Sequence, residues 1–98
     1  MARQSVEFHP EAVAEARCAR EWYETRSEAA AKTFIAEIDH AIEQIRQAPA
    51  RWPAYLEGTR RYLLHRFPFS VVYREHRSRI QIVAVAHARR KPGYWKER

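Results

Sequence analysis

RRYLLHRFPFSVVYREHRSRIQIVAVAH, residues 60–87, decides the fold. From Arg60 to Phe67 the chain alternates with the two-residue period of a strand, Tyr62, Leu64 and Arg66 on one face and Arg61, Leu63, His65 and Phe67 on the other. Pro68 cannot donate to a sheet ladder and marks a reversal. Phe69 to Glu75 is β-branched and aromatic, His76-Arg77-Ser78 turns the chain, and Arg79 to His87 is the most apolar run, which predicts a central strand. The stretch therefore reads as a three-strand antiparallel meander.

Upstream, PARWPAYLEGT (49–59) holds two prolines and a glycine and reads as an ordered loop pinned by Trp52 and Tyr55. Before it, Phe34, Ile35, Ile38, Ile42 and Ile45 recur at helical spacing, from an N-cap at Ser27 to a stop at Pro49. An earlier helix opens at Pro10, where a missing N–H costs nothing, and its apolar stripe is Ala12, Val13, Ala16, Ala19, Trp22 and Tyr23. It ends near Thr25-Arg26, so a connection of about two residues predicts an antiparallel helical hairpin. Ser5 to Phe8 alternates and reads as a short first strand.

The fold class is thus α+β in the order β-α-α-β-β-β, one domain over residues 1–98, with the hairpin packed on a small, mostly antiparallel sheet. The hairpin covers one sheet face, and the other is expected to stay partly open and rich in arginine. HARRKPGYWKER (87–98) reads as a tail or short turn packed on the sheet edge.

The net charge of +6 conceals two unlike halves. Residues 1–50 carry six Lys/Arg against nine Asp/Glu, and residues 51–98 carry twelve against three. Charge gathered in this way attracts polyanions or acidic protein surfaces. Arg89-Arg90-Lys91 is the sharpest case, because three consecutive cations at a strand end repel one another unless an anion is expected there.

Several classes drop out. The longest uncharged apolar stretch, Ile80 to Ala88, is far shorter than the ~20 residues needed to cross a bilayer, so no membrane partner is expected. The N-terminus lacks the apolar core of a secretory signal, and the expected location is cytoplasmic. Cys18 is alone and reads as a structural thiol. His9, His40, His65, His76 and His87 show no ligand spacing, and Gly58 and Gly93 are the only glycines, so neither a metal nor a nucleotide cofactor is expected. Only Glu57, Glu75 and Glu97 are carboxylates in the basic half, which disfavours a two-carboxylate hydrolase. What remains is His65, His87, Tyr73, Tyr94 and the arginines at 60, 61, 66, 74, 89 and 90. Arginine clamps phosphates bidentately, and histidine or tyrosine moves protons.

RRYLLHRFPFSVVYRE (60–75) and IQIVAVAHARRKPGYW (80–95), preceded by the Val6-Glu7-Phe8 strand and the helical hairpin, resemble the RelE/ParE superfamily of type II toxin–antitoxin toxins, also called plasmid stabilisation proteins. The resemblance spans nearly the whole chain. It implies a toxin neutralised by a small antitoxin whose C-terminal segment wraps it. It also implies that operator DNA is met only indirectly, through the antitoxin. RelE-like members of this superfamily cleave mRNA in the ribosome, whereas ParE-like members poison DNA gyrase without nuclease chemistry. Tyr94 matches the RelE-like pattern. Ser70 stands where arginine is frequent, Ala88 separates His87 from Arg89, and AVAHARR resembles ParE-like chains at least as well.

The ParE-like reading is therefore favoured. The alternative is a ribosome-dependent endoribonuclease in which His87, Tyr94 and Arg90 are catalytic. A third reading is a non-toxic basic module that binds nucleic acid or protein. In each, Arg60, Arg61, Arg66, Arg89, Arg90 and Lys91 are the phosphate- or target-binding candidates. Leu63, Phe67 and Phe69, expected to be poorly covered by the sheet's own packing, are the candidates for binding the antitoxin.

Overall fold

The computed structural model describes residues 4–98. Strand β1 (Ser5–Phe8) leads into helices α1 (Pro10–Glu24) and α2 (Glu28–Gln47). Short 3₁₀ turns at Pro49–Arg51 and Leu56–Gly58 then precede β2 (Arg60–Leu63), β3 (Phe69–His76) and β4 (Arg79–His87). The sheet order is β1-β4-β3-β2. β1 runs parallel to β4 and the other pairings are antiparallel.

The helix starts are chemically specified. Pro10 occupies the first turn of α1, and the His9 ring accepts from the Glu11 N–H at 3.1 Å. Ser27 caps α2 by accepting from the Ala30 N–H at 3.2 Å. The α1 stripe is wider than the face it buries. Ala12 and Ala19 are buried and Ala16 and Tyr23 half-buried, but Val13 and Trp22, expected on the core face, stay exposed.

The main core lies between the hairpin and one sheet face. Phe34 is its centre, with ring centroids 5.4 Å from Tyr23, 5.2 Å from Phe67 and 5.3 Å from Phe69. Phe67 and Phe69 are therefore half-buried in the domain's own aromatic cluster, which corrects the expectation that they lie uncovered. Leu63 alone of the three is well exposed, at 60%.

β2 is shorter than its alternation predicts, and the cause is α2. The Glu37 carboxylate accepts from the backbone N–H groups of both His65 and Arg66, so these donors leave the ladder and 64–68 becomes a loop held to the helix. The segment 49–59 is pinned as expected. Trp52 packs on Tyr62 with centroids 4.6 Å apart, and the Tyr73 hydroxyl donates to the Pro49 carbonyl. Burial pushes the Tyr73 phenol up to about 12.

The second sheet face is not open. Between Val72 and Tyr73 the β3–β4 register shifts, leaving Val83 without a partner, and Val83 and Ala84 join Val72 in a second apolar cluster. Trp95, 1% exposed, seals it with Tyr55 and Tyr94 at its flanks. The C-terminal segment thus plugs the sheet face instead of trailing along its edge. Such a small chain needs that large ring to bury enough surface.

Candidate functional site

The site is built where β4 ends. The Ala88 N–H donates to the Pro68 carbonyl at 2.8 Å, tying the strand end to the β2–β3 loop. The Arg89 N–H donates to Nδ1 of His87 at 3.0 Å and the Arg90 N–H to the His87 carbonyl at 3.0 Å, so both the ring and the turn are fixed locally. Gly93, at φ +82°, supplies the left-handed step that lets Tyr94 bond back to Lys91 and delivers Trp95 onto the sheet.

Tyr94 then points at α1. Its hydroxyl donates to Oε2 of Glu15 at 2.6 Å, and Arg98 grips the same carboxylate with two bonds of 3.0 Å. Glu15 Oε1 also accepts from the Val85 N–H at 3.0 Å, while Arg98 donates to the Val83 carbonyl at 3.0 Å. A half-buried carboxylate thus satisfies donors from α1's neighbouring strand and from the C-terminal segment together. Burial, then the bond to Glu15, push the Tyr94 phenol far above its ordinary value. The bond to Glu15 likewise raises Arg98.

Two concavities flank this structure. A groove of about 650 Å³ lies between α1 and the β4 end, with Cys18, Trp22, Tyr23 and Phe69 among its walls. A smaller cleft of about 80 Å³ is lined by Arg61, Ser70, Arg90, Lys91, Tyr94 and Trp95, among others. His87 and Arg90 border both.

Of the predicted cations, Arg61, Arg90 and Lys91 meet at this cleft, beside His87 and Tyr94. The Arg61 guanidinium lies 4.0 Å over the Tyr55 ring and Arg90 lies 3.7 Å over Tyr94. Arg60 does not join them, because its guanidinium donates to the Trp52 carbonyl at 2.6 Å. Arg66 and Arg89 are exposed and line neither concavity. Among the described residues, none of Arg61, Arg66, Arg89, Arg90 and Lys91 has a carboxylate within ion-pair distance. The hairpin's acidic side chains therefore leave the patch uncompensated. Of the antitoxin candidates, Phe69 forms part of the larger groove, whereas Leu63 stands apart on the short edge strand β2.

Glu15 and Arg98 escaped the sequence reading. The available signal was a carboxylate set three residues after Ala12 and four before Ala19, on the stripe that faces the core. A charge there demands a buried partner, but nothing local identifies Arg98, 83 residues away, as that partner.

A helical hairpin on a four-strand mixed sheet is the architecture expected of the toxin superfamily that the sequence resembles. The family model described as "ParE toxin of type II toxin-antitoxin system, parDE" matches residues 6–92, and the chain belongs to that family. Eight solved chains match its fold. One, titled "Chromosomal ParDE TA system from P. aeruginosa", superposes with a TM-score of 0.76 at 21% identity, covering 87% of this chain and 96% of that one. No curated protein sequence matches.

Proposed function

We propose that this ParE-family toxin arrests growth by acting on DNA gyrase, and that a cognate antitoxin neutralises it in the cytoplasm. The observation that carries the choice of target is the bond from the Tyr94 hydroxyl to Glu15. A phenol that donates to a carboxylate and titrates far above neutrality is a poor proton carrier, and His87 already spends Nδ1 on the Arg89 N–H. Among the described residues no carboxylate lines the cationic cleft, so it holds no carboxylate to act as a general base. The alternative of a ribosome-dependent ribonuclease draws support from one fact, the gathering of Arg61, Arg90 and His87 at a single cleft.

Neutralisation is read from the larger groove. Trp22 is 52% exposed beside Tyr23 and Phe69, and Arg90, an exposed cation with no carboxylate partner among the described residues, lines the same groove. An amphipathic segment with an acidic flank would bury the rings and meet Arg90. The solved relative's title names a ParDE system, in keeping with a toxin made alongside a partner. Operator DNA is then met only through that partner.

Inducible expression in a bacterial host, with and without the adjacent reading frame, tests this function. Growth arrest with a DNA-damage response and intact messages, relieved by the neighbouring product, is expected. Arrest with rapid message decay and no damage response would select the ribonuclease instead, and harmless expression would leave only a basic binding module.

A further inference from the structure

The cleft formed by Arg61, Arg90 and Lys91 has a shape and a charge that growth arrest alone does not explain. We propose that it is an anion site taking one backbone phosphate of double-stranded DNA. The gyrase reading supplies the identity of the polymer; the geometry stands independently of it.

The charge comes first. Three cations converge on about 80 Å³ without a carboxylate partner among the described residues, an arrangement that repels itself until an anion enters. The cleft is small, of a size to seat a single anionic group such as a phosphate between its cations. Both guanidiniums are held in place before any ligand arrives. The Arg61 and Arg90 guanidiniums lie 4.0 and 3.7 Å over the Tyr55 and Tyr94 rings, and a guanidinium is a planar fork that fits phosphate oxygens. Tyr94 is in turn anchored by Glu15, so the clasp to α1 fixes where Arg90 stands.

The same stacking argues for duplex over single-stranded nucleic acid. Single strands are held by bases laid on exposed aromatic faces. Here Arg61 and Arg90 cover those of Tyr55 and Tyr94, and Trp95 is buried, so the cleft presents cations and no stacking platform. An acidic peptide is less favoured, because the apolar surface that would give it affinity lies in the larger groove.

Fluorescence anisotropy of a short labelled duplex, titrated with the purified full chain over a range of salt, tests the proposal. Affinity should fall with salt at a log–log slope of about −0.9 for each phosphate neutralised. Arg61→Ala and Arg90→Ala should each weaken binding several-fold and make that slope shallower, because each removes part of the charge that neutralises the one phosphate. Lys91→Gln, at an exposed position outside both cores, should do the same without touching the fold. A wild-type slope near zero, or three variants that bind like wild type, overturns the proposal. So does tighter binding to a single strand of equal length, or displacement of the duplex by poly-L-glutamate of matched charge. No gyrase is present, so this result and the toxin's effect on gyrase are read separately.

Discussion

Glu15 and Arg98 are joined by two parallel N–H···O bonds of 3.0 Å across 83 residues of sequence, with each side chain less than 15% exposed. This fork closes the molecule. It fastens the C-terminal segment to α1, and between its ends lie Trp95, which seals the second core, and Arg90, which lines the cleft. Stability and the placement of the cationic cleft are therefore coupled through one carboxylate.

Breaking a buried ion pair costs more than forming it gains, because the partner is left charged and unpaired. Glu15→Gln should cost about 2–4 kcal/mol, somewhat below the fully buried range because a little solvent reaches both groups. In denaturant titrations, the Glu15→Gln/Arg98→Met double variant should lose less than the sum of the single losses.

Tyr94→Phe removes one hydroxyl bond to a charged acceptor and should lower stability by about 1.5–3 kcal/mol. Toxicity at a temperature where the variant is folded should persist. Toxicity abolished in a variant with a wild-type melting curve would return Tyr94 to a catalytic role.

The buried phenols set an alkaline limit. Tyr73 is pushed up to about 12, and Tyr94 and Tyr23 also stand above their ordinary value, mainly through burial. The unfolded chain releases these protons first, near pH 10, so above that point it binds fewer protons than the folded chain and stability falls as pH rises. Their contribution is complete below pH 10 and is lost as pH climbs towards the folded-state values. Urea midpoints measured from pH 8 to 11.5 should be level at first and then decline.

Phe34→Ala empties the centre of the aromatic cluster and should cost about 3–5 kcal/mol. Leu63→Arg, on the exposed edge strand, should leave the melting temperature nearly unchanged. If the antitoxin reaches that edge, co-expression will rescue growth less well in the Leu63→Arg strain. Full rescue would confine the antitoxin to the groove beside Trp22.

The elements were largely legible because their signals are local. Ser27, Pro10 and Pro49 punctuate the helices, and the apolar run from Ile80 to Val85 marks a central strand. What was not legible depended on distant partners. β2 stops early because Glu37, on another element, captures two of its backbone donors. Phe67 and Phe69 looked uncovered because alternation does not reveal that Tyr23 and Phe34 meet them. The cationic cleft was legible in part. Arg90 and Lys91 were marked by their charge run, but Arg60 and Arg61, adjacent in sequence, were separable only by seeing one bond to Trp52 and the other stack on Tyr55.

The most direct test of the central claim is a supercoiling assay with purified gyrase, relaxed plasmid and the purified toxin, run beside a ribosome-bound message. The account predicts lost supercoiling, accumulation of cleaved DNA complexes and an intact message, with the effect weakened by Arg61→Ala and Arg90→Ala. Unimpaired supercoiling together with a cut message would contradict it.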